Sequence, residues 1–436
     1  MRPLLPLLAF ALAFAPAAAE ARLSAAEARM VRTVESEQTR SVELLERLVN
    51  QNSGSLNLPG VEAVGRMMRA ELEPLGFTVR WVPMAEAGRA GHIVATHKGS
   101  GRGKRMLLIG HLDTVFEPDS PFQRFTRKDE NIAEGPGIGD DKGGMVVMVA
   151  ALRAMKAAGT LRDADIEIVL TGDEEDSGSP ITLARRDLIA AGGRADVALD
   201  FEGLAQEEGR DMGSIARRGS ASWQVTARGK TGHSSGIFSQ SAGNGAIYEL
   251  ARILAAFRSE LPEPNLTFNV GLVVGGATAE LDKDLIRGTA TGKTNIIPPI
   301  AIARGDLRAL SLDQQQRVMA KMGEIVERHL PGSDAELAFD EGGYPPMAPT
   351  AASRAFLARL NAVNRDLGLP EMGEFDPLKR GAGDIGFVAH LIPGLVGLGT
   401  AGQGAHAAGE TVDLRSIPRQ AKRAAILMSR LARERR

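Results

Sequence analysis

The 436-residue chain contains no cysteine, which excludes both disulfide bonds and thiolate metal sites. It also lacks a basic excess, because 52 lysines and arginines stand against 54 aspartates and glutamates. This balance argues against nucleic acid or an anionic membrane as a partner. After the first residues there is no apolar run long enough to span a bilayer, and no internal repeat. Any transition metal must therefore be bound by histidine, aspartate and glutamate.

Residues 1–19 are the one strongly apolar stretch. They carry a single positive charge and end in Ala17-Ala18-Ala19, a pattern that predicts a cleaved secretory signal peptide. A membrane anchor is the alternative, but the stretch is short for a span and prolines interrupt it. No cysteine follows that could carry a bacterial lipid anchor. We therefore expect a periplasmic or secreted protein without membrane attachment after cleavage.

The length exceeds that of one ordinary domain, and 43% hydrophobic residues are enough for a sizeable core. Over residues 20–212, short buried strands alternate with helices, which is typical of an α/β fold. Over residues 213–330, polar and apolar residues alternate in the strands and the helices are segregated, which indicates an inserted α+β unit. The first pattern resumes over residues 331–436. The sequence thus predicts an α/β domain in two parts, interrupted by a smaller insert.

Histidine and acidic residues follow several predicted strands of the α/β part. The strand over residues 106–109 runs into H-L-D, the strand over 166–170 into D-E-E-D, and the strand over 197–199 into D-F-E-G. A glycine-rich segment over residues 134–145 contains two aspartates, and another near the C-terminus contains a histidine. Ligands in α/β folds collect at the carboxyl ends of strands. The candidate ligands are His111, Asp140, Glu174, Glu175, Glu202 and His406.

Each of these features also has a purely structural interpretation. His111 could be a buried histidine held by Asp113, and His406 an ordinary loop residue. The acidic run could be a solvated loop, and residues 134–145 a flexible turn; adjacent aspartates disfavour a phosphate there. Taken together, two histidines and several carboxylates suit zinc, cobalt or manganese. Since one catalytic zinc needs only three protein ligands, the surplus suggests two metals that share a bridging carboxylate.

Seven short motifs in order resemble the co-catalytic zinc peptidases, a family that includes glutamate carboxypeptidase, aminoacylase and succinyl-diaminopimelate desuccinylase. They are H-L-D-T-V, G-P-G-I-G-D-D-K-G-G, D-E-E, F-E-G, G-K-T-G-H, D-L-R and a late G-x-H. The glycine-rich motif looks most similar to the glutamate carboxypeptidase branch. The resemblance implies a mixed-sheet zinc-exopeptidase domain with an inserted dimerisation domain, and two Zn²⁺ per chain, with Co²⁺ or Mn²⁺ as alternatives.

The resemblance also implies a role for each residue at the metals. One metal would be bound by His111 and Glu202, the other by Glu175 and His406, with Asp140 as the bridge. Glu174 would be the general base, which takes a proton from water and passes it to the leaving nitrogen. Asp113 would orient His111, as ligating histidines usually require.

Substrate contacts are implied for the insert and for one later loop. His233 would reach a substrate carbonyl in the partner subunit of a homodimer and stabilise the oxyanion. Arg308 would bind a substrate carboxylate, with Asn295 in the same pocket; a surface ion pair is the alternative for Arg308. Gly383 lies in G-A-G-D, residues 381–384, where the family usually has Gly-Gly and then Thr or Ser before the aspartate. This difference leaves the substrate open.

The expected activity is hydrolysis of an amide next to a free carboxylate, in small peptides or N-acyl amino acids. A deacylase of N-acyl amino acids is the alternative within the same chemistry. A metal-free binding protein on the same fold is the alternative without catalysis, and the complete set of candidate ligands argues against it.

Overall fold

The computed structural model describes residues 23–436, so the predicted signal peptide over residues 1–19 lies outside the described part of the chain. The helices in this range are α1 Ala25–Ser36, α2 Gln38–Asn50, α3 Leu58–Leu72, α4 Gly143–Ala157, α5 Ile181–Ala184, α6 Arg186–Gly192, α7 Ala246–Glu260, α8 Leu312–Val326, α9 Ala351–Asp366 and α10 Ser416–Leu431. The strands are β1 Thr78–Pro83, β2 Gly91–His97, β3 Arg105–His111, β4 Thr126–Arg127, β5 Ile132–Glu134, β6 Asp165–Thr171, β7 Val197–Asp200, β8 Gln206–Glu207, β9 Arg210–Asp211, β10 Ala221–Gly229, β11 Gly232–His233, β12 Thr267–Gly276, β13 Thr278–Leu281, β14 Gly288–Thr291, β15 Ile296–Ile297, β16 Ile300–Arg308, β17 Ser333–Phe339, β18 Gly394–Leu395, β19 Gly402–Gln403 and β20 Thr411–Asp413.

The larger sheet has six strands in the order β1-β2-β6-β3-β7-β18. Strand β3 is parallel to β6 and to β7, and β18 is parallel to β7. Strand β2 is antiparallel to β6, and β1 is antiparallel to β2. Leu107, Leu108 and Ile168 are completely buried, because helices cover both faces of the central strands. The sheet is mixed, which confirms the predicted fold class. Its three parallel central strands end at the same edge.

Helix α4 is buried on every side from Gly143 to Met155 and packs against α1 and α10. Its first turn lies directly against the end of β7, and a Cβ at Gly144 would collide with the carbonyl oxygen of Phe201. Glycine is therefore required for this close approach. The loop before α4, which carries Asp140, is thereby held against the carboxyl edge of the sheet.

A second, antiparallel sheet has the order β12-β16-β10-β17 and forms the inserted unit. Helices α7 and α8 cover one face and share a separate core with it, in which Trp223 and Phe257 meet edge to face. The observed limits differ from the predicted residues 213–330. Strand β17, over residues 333–339, belongs to this sheet, but only its alternate residues face the core, so its apolar signal is weak.

The segment just before β10 was predicted as part of the insert, but it pairs with the second part of the catalytic domain. Residues 213–220 pair with the later catalytic segment, through isolated bridges between Arg217 and Met347 and between Ser220 and Tyr344. Two antiparallel connections therefore join the insert to the larger sheet. The role of the insert in dimerisation remains a prediction. In the described residues, no helix combines the length and the apolarity that crossing a bilayer requires.

Candidate metal centre

The carboxyl ends of three parallel strands bring acidic residues and a histidine to one edge of the larger sheet. His111 is the last residue of β3, Glu174 and Glu175 follow β6, and Glu202 follows β7. Two loops reach the same edge: the segment before α4 with Asp140, and the segment between β19 and β20 with His406. All six candidate ligands therefore meet at this edge, as the positions of the predicted strands suggested.

Asp140 lies between the two histidines. Its Oδ1 is 2.9 Å from His111 Nε2, and its Oδ2 is 3.1 Å from His406 Nε2, although Asp140 and His406 are 266 positions apart along the chain. His406 Nε2 is also 3.1 Å from Glu175 Oε2. A single carboxylate with an imidazole on each oxygen has the arrangement that a bridging ligand between two cations requires.

Two overlapping groups of side chains could each hold a metal ion. Ligand atoms of His111, Asp140 and Glu175 lie within 4.8 Å of one another, and so do those of His111, Glu174 and Glu202. Glu175 Oε1 is buried and has no hydrogen-bond partner among the described residues. Buried polar atoms normally have partners. Nitrogen and carboxylate donors without thiols fit zinc, cobalt or manganese, so the residues present fit a divalent cation.

Asp113 connects His111 to the acidic loop after β6. Its Oδ1 is 3.4 Å from His111 Nδ1, and its backbone carbonyl is 3.1 Å from the same nitrogen. The carboxylate accepts hydrogen bonds from Ser55 Oγ at 2.6 Å and from the backbone N–H groups of Glu174 and Glu175. The orientation of the imidazole is thus coupled to the position of both glutamates. Sequence reasoning missed Ser55, because no motif surrounds it.

The protonation of the histidines follows from their carboxylate neighbours. Hydrogen bonds to Asp140 and Glu175 raise the pKa of His406 to about 11. Burial works to lower the pKa of His111, but hydrogen bonds to Asp113 and Asp140 hold it well above its ordinary value. A cation would replace these protons, so metal binding at this centre is coupled to proton release.

The pKa values of two acidic residues are raised as well, which favours their neutral form, whereas the raised pKa of each histidine favours its charged form. Burial raises the pKa of Glu174 well above its ordinary value; nearby His111 opposes this, and the charge of Glu202 adds to it. Burial also raises the pKa of Glu175, against the hydrogen bond from His406. Several carboxylates in one buried site repel one another unless protons or cations compensate. The carboxylates of this centre therefore favour the binding of cations or protons.

Glu410 holds the loop that presents Asp140. Its carboxylate accepts hydrogen bonds from the backbone N–H groups of Gly137, Gly139 and Asp140, at 2.9, 2.7 and 3.0 Å. The residue is almost completely buried. The sequence contains Glu410 just after the late histidine motif, but nothing in its spacing shows that its partners lie some 270 positions earlier.

Arg217 is a third residue that sequence reasoning missed. Its Nη1 is 2.6 Å from Glu202 Oε1, and its Nε donates to the carbonyl of Gly381 at 2.8 Å. Gly383 lies in the same place, since a Cβ there would collide with Arg217 Nη1 and approach Glu202 Oε1. The loop with the G-A-G-D sequence therefore packs directly against the candidate ligand Glu202. The guanidinium of Arg217 occupies the space that a side chain at position 383 would need.

A buried cluster holds this loop and the acidic loop together. Arg185 is completely buried, and its guanidinium is 2.6 Å from both Asp173 Oδ1 and Asp384 Oδ1. Its Nη2 also donates to the hydroxyl of Tyr344, which in turn donates to the backbone carbonyl of Glu174 at 2.7 Å. These contacts fix the backbone on both sides of the candidate centre.

The insert residues His233, Asn295 and Arg308 lie apart from the centre. The ring of His233 is exposed and bonds to Ser235 Oγ at 2.8 Å, and the Asn295 carbonyl accepts from a neighbouring amide. Arg308 is 2.9 Å from Asp306 on its own strand, with both side chains 37% exposed. Among residues 23–436, no hydrogen bond or ion pair joins these three residues to Asp140 or its neighbours. Their roles toward substrate remain predictions.

Comparison with known proteins gives a consistent result. The model of peptidase family M20/M25/M40 matches residues 107–430. Carboxypeptidase G2 from Pseudomonas sp. (strain RS-16) is 30% identical over 398 residues, which are 90% of this chain and 89% of that protein. A succinyl-diaminopimelate desuccinylase from Novosphingobium aromaticivorans is 29% identical over 401 residues, 88% of this chain and 97% of that protein.

The fold is also similar to solved structures. A dinuclear metal-binding peptidase of the M20 family from Bacillus subtilis has a TM-score of 0.64 and 16% identity, with 91% of this chain and 99% of that chain covered. The family match spans most of the chain, and it includes His111, Asp140, Glu174, Glu175, Glu202 and His406. The chain therefore belongs to the M20/M25/M40 peptidase family and is a metallopeptidase or amidohydrolase of that family.

Proposed function

We propose that this enzyme uses two metal ions to hydrolyse an amide bond next to a free carboxylate. The observation that carries the proposal is the position of Asp140 between His111 and His406, with Glu175 and Glu202 beside them. His111 and Glu202 would hold one ion, Glu175 and His406 the other, and Asp140 both. When bound, such a pair of ions acts as a Lewis acid toward the carbonyl and lowers the pKa of water.

Proton transfer in this mechanism belongs to Glu174. Its carboxylate takes a proton from the attacking water as the new C–O bond forms, and it delivers that proton to the leaving nitrogen as the C–N bond breaks. The products are a carboxylate and an amine. Asp113 keeps the His111 ring in place through Nδ1, and Glu410 keeps the backbone around Asp140 in place, so neither has to move during the reaction.

The substrates we propose are small peptides that lose a C-terminal amino acid, or acyl amino acids. The name of the Pseudomonas relative, a carboxypeptidase, supports the first class. The desuccinylase relatives support the second candidate function, which is deacylation of an N-acyl amino acid. Zn²⁺ is the proposed metal, with Co²⁺ and Mn²⁺ as alternatives.

We further propose export of the mature protein, on the evidence of residues 1–19, and a homodimer. Exposed apolar side chains on the insert support the dimer: Phe238, Tyr248, Val273 and Ile286 are 62%, 53%, 53% and 70% exposed. Phe238 and Tyr248 pack against each other, with ring centroids 5.4 Å apart, and exposed apolar patches mark interaction sites. In the dimer His233 would complete the site of the partner subunit.

The test combines metal analysis with a hydrolysis screen. Purified protein is stripped with a chelator, reloaded with Zn²⁺ and assayed on dipeptides and N-acyl amino acids. We expect two ions per chain, no activity in the stripped protein and recovery on reloading. A chain that binds one ion or none would contradict the dinuclear centre. A chain that binds two ions and hydrolyses none of these substrates would contradict the proposed reaction.

A further inference from the structure

A small cavity of about 170 Å³ opens beside the candidate metal centre, on the side of Glu202. Asp140, Glu202 and Glu410 contribute to its wall, together with the backbone around Gly404 and the side chain of Arg380. The cavity thus places one guanidinium next to the residues that would bind the metals. Its size suits a short acidic group and not an extended peptide.

Arg380 differs from the other guanidinium at this site. Arg217 is paired with Glu202, whereas Arg380 forms no ion pair with any residue of the described range 23–436. Its Nη2 donates to the carbonyl of Gly203 at 2.8 Å, and its Nε is buried without a hydrogen-bond partner. A guanidinium offers five N–H donors. Leaving buried donors unpaired is costly unless another group completes them.

The surroundings of Arg380 favour an incoming anion. Burial lowers the pKa of Arg380, and the positive charge of Arg217 acts in the same direction, against the charge of Glu202. An anion beside the guanidinium would relieve both effects. Cations bound by Glu202 and Asp140 would cancel the repulsion that these carboxylates exert on such an anion.

The loop that carries Arg380 is held from two directions. The carbonyl of Gly381 accepts from Arg217 Nε at 2.8 Å, and Asp384 accepts from Thr171 Oγ1 at 2.6 Å and from buried Arg185 at 2.6 Å. Recognition sites need side chains that are positioned before the ligand arrives. Arg380 is presented by such a fixed backbone, next to the reaction centre.

We propose that Arg380 is a specificity-determining residue that binds a second carboxylate of the substrate, in addition to the carboxylate next to the scissile amide. The inference rests on the proposed function and narrows its substrates to dicarboxylic ones. The second carboxylate could belong to the acyl group or to the side chain of the released amino acid, since both would offer the same two oxygens to the guanidinium.

The test measures kcat/KM on two pairs of substrates in the metal-loaded enzyme. One pair is an N-succinyl and an N-succinamoyl derivative of the same amino acid; the other is N-acetyl-glutamate and N-acetyl-glutamine. In each pair only the second carboxylate is replaced by an amide. We expect the acid to be preferred about 10- to 100-fold in one pair, which identifies the acyl or the side-chain source.

The variant Arg380→Met should abolish this preference, because kcat/KM should fall about 10- to 100-fold more on the acid than on the neutral amide. Arg380→Lys keeps the positive charge but loses the two parallel N–H donors of the guanidinium. It should therefore retain part of the preference for the acid over the amide. The matched control is Lys379→Met, since Lys379 is the adjacent cation, is exposed and pairs with Glu207. Metal content is measured in each variant.

Three results would overturn the inference alone: equal rates within both pairs, an unchanged preference in Arg380→Met, or an equal loss on acid and amide at unchanged metal content. Failure of the metal-loaded wild type on all four substrates would instead contradict the proposed function. In that case, the role of Arg380 is tested by calorimetry, which measures the binding of succinate and of glutamate to the zinc-loaded protein. Binding that Arg380→Met does not weaken by about 10-fold or more would overturn the inference.

Discussion

The three glutamates at the centre differ in their partners. Glu202 is paired with Arg217, and Glu175 with His406. In the described part of the chain, the carboxylate of Glu174 has no hydrogen bond and no ion pair, although its backbone is held at both ends by Asp113 and Tyr344. A fixed backbone with a free carboxylate suits a group that must give and take a proton. This difference distinguishes the role of Glu174 from that of Glu175. Their adjacent positions in the D-E-E motif do not reveal which of the two is the ligand.

We predict that Glu174→Gln keeps both metals and loses turnover, because the amide occupies the same space but cannot accept the proton. The loss in kcat should be about 10²- to 10⁴-fold. Metal content by elemental analysis and kcat on the best substrate measure the two effects separately.

Asp176→Asn is the matched control for this variant. Asp176 lies in the same loop, its side chain is 55% exposed, and it pairs only with Arg89 among the described residues, so its rate should stay near that of wild type. Loss of a metal from Glu174→Gln would show that the roles of Glu174 and Glu175 are exchanged.

Single residues of the site were predictable where a strand and a motif coincided. His111 and Glu202 follow apolar runs and are positioned by them. Ser55, Arg217 and Glu410 could not be predicted, because each acts across a long sequence separation and each has an ordinary surface role in most contexts. Ser55 is 58 positions from Asp113, and Glu410 is 270 positions from Asp140.

One carboxylate on β9, that of Asp211, pairs with two arginines of helix α10. Asp211 accepts from Arg423 Nη1 at 2.6 Å and from Arg419 Nε at 2.9 Å, and Arg423 is almost completely buried. Burial works to raise the pKa of Asp211, but the hydrogen bond from Arg423 holds it below its ordinary value. The folded state thus favours the charged form.

We predict that Asp211→Asn lowers the free energy of unfolding by about 1–2 kcal/mol at pH 7, because it leaves buried Arg423 without its carboxylate. The folded-state pKa of Asp211 lies below the unfolded value of about 3.9, so its contribution is complete above that value. It is lost as the pH falls through the folded-state pKa. The difference between variant and wild type should therefore shrink below about pH 4.

Urea unfolding at a series of pH values measures this difference. Asp284→Asn serves as the control, since Asp284 forms an exposed loop ion pair with Lys283 and should change the free energy of unfolding by less than about 0.5 kcal/mol. A difference for Asp211→Asn that stays constant from pH 7 to the acid range would exclude the charge as its cause.

Elements with continuous apolar sequences were predicted well, whereas some short strands of the insert were not. Strand β3 was expected over residues 106–109 and extends over 105–111, while the hairpin of β13 and β14 was not expected. The helical spacing of apolar residues over 24–51 predicts one amphipathic helix, but α1 and α2 are separate and meet at Glu37. No proline or glycine in this stretch marks the break.

At the scale of the whole molecule, His233 is separated from the centre that it is predicted to serve. It lies on the exposed strand β11 of the insert, which pairs with β15, and Asn295 is the residue just before β15. Two antiparallel connections lead from the insert to the larger sheet, and the observed limits of the insert differ from residues 213–330. The segment 213–220 pairs with the catalytic domain, whereas strand β17 beyond residue 330 belongs to the sheet of the insert.

We predict that His233→Ala lowers kcat by about 10²- to 10³-fold without changing metal content, because an oxyanion donor is lost. Mixing it with Glu174→Gln should restore activity, since each heterodimer then has one complete site. After full exchange of an equal mixture, about a quarter of the wild-type activity per chain is expected, because half of the dimers are mixed and half of their sites are complete.

Size-exclusion chromatography and mass spectrometry verify the dimer and the exchange of subunits. The unmixed variants, each at the same total concentration, are the controls for residual activity. A monomer in solution, or exchange without recovery of activity, would contradict a role of His233 in the partner's site.

The arrangement of Asp140 between His111 and His406 has a consequence for the order of events during synthesis. The two histidines are separated by nearly three hundred residues, and the whole sheet of the insert is made between them. A chain that has not yet been synthesised as far as His406 cannot complete the set of ligands around Asp140. The complete metal site can therefore form only late in synthesis, after the loop with His406 has been made.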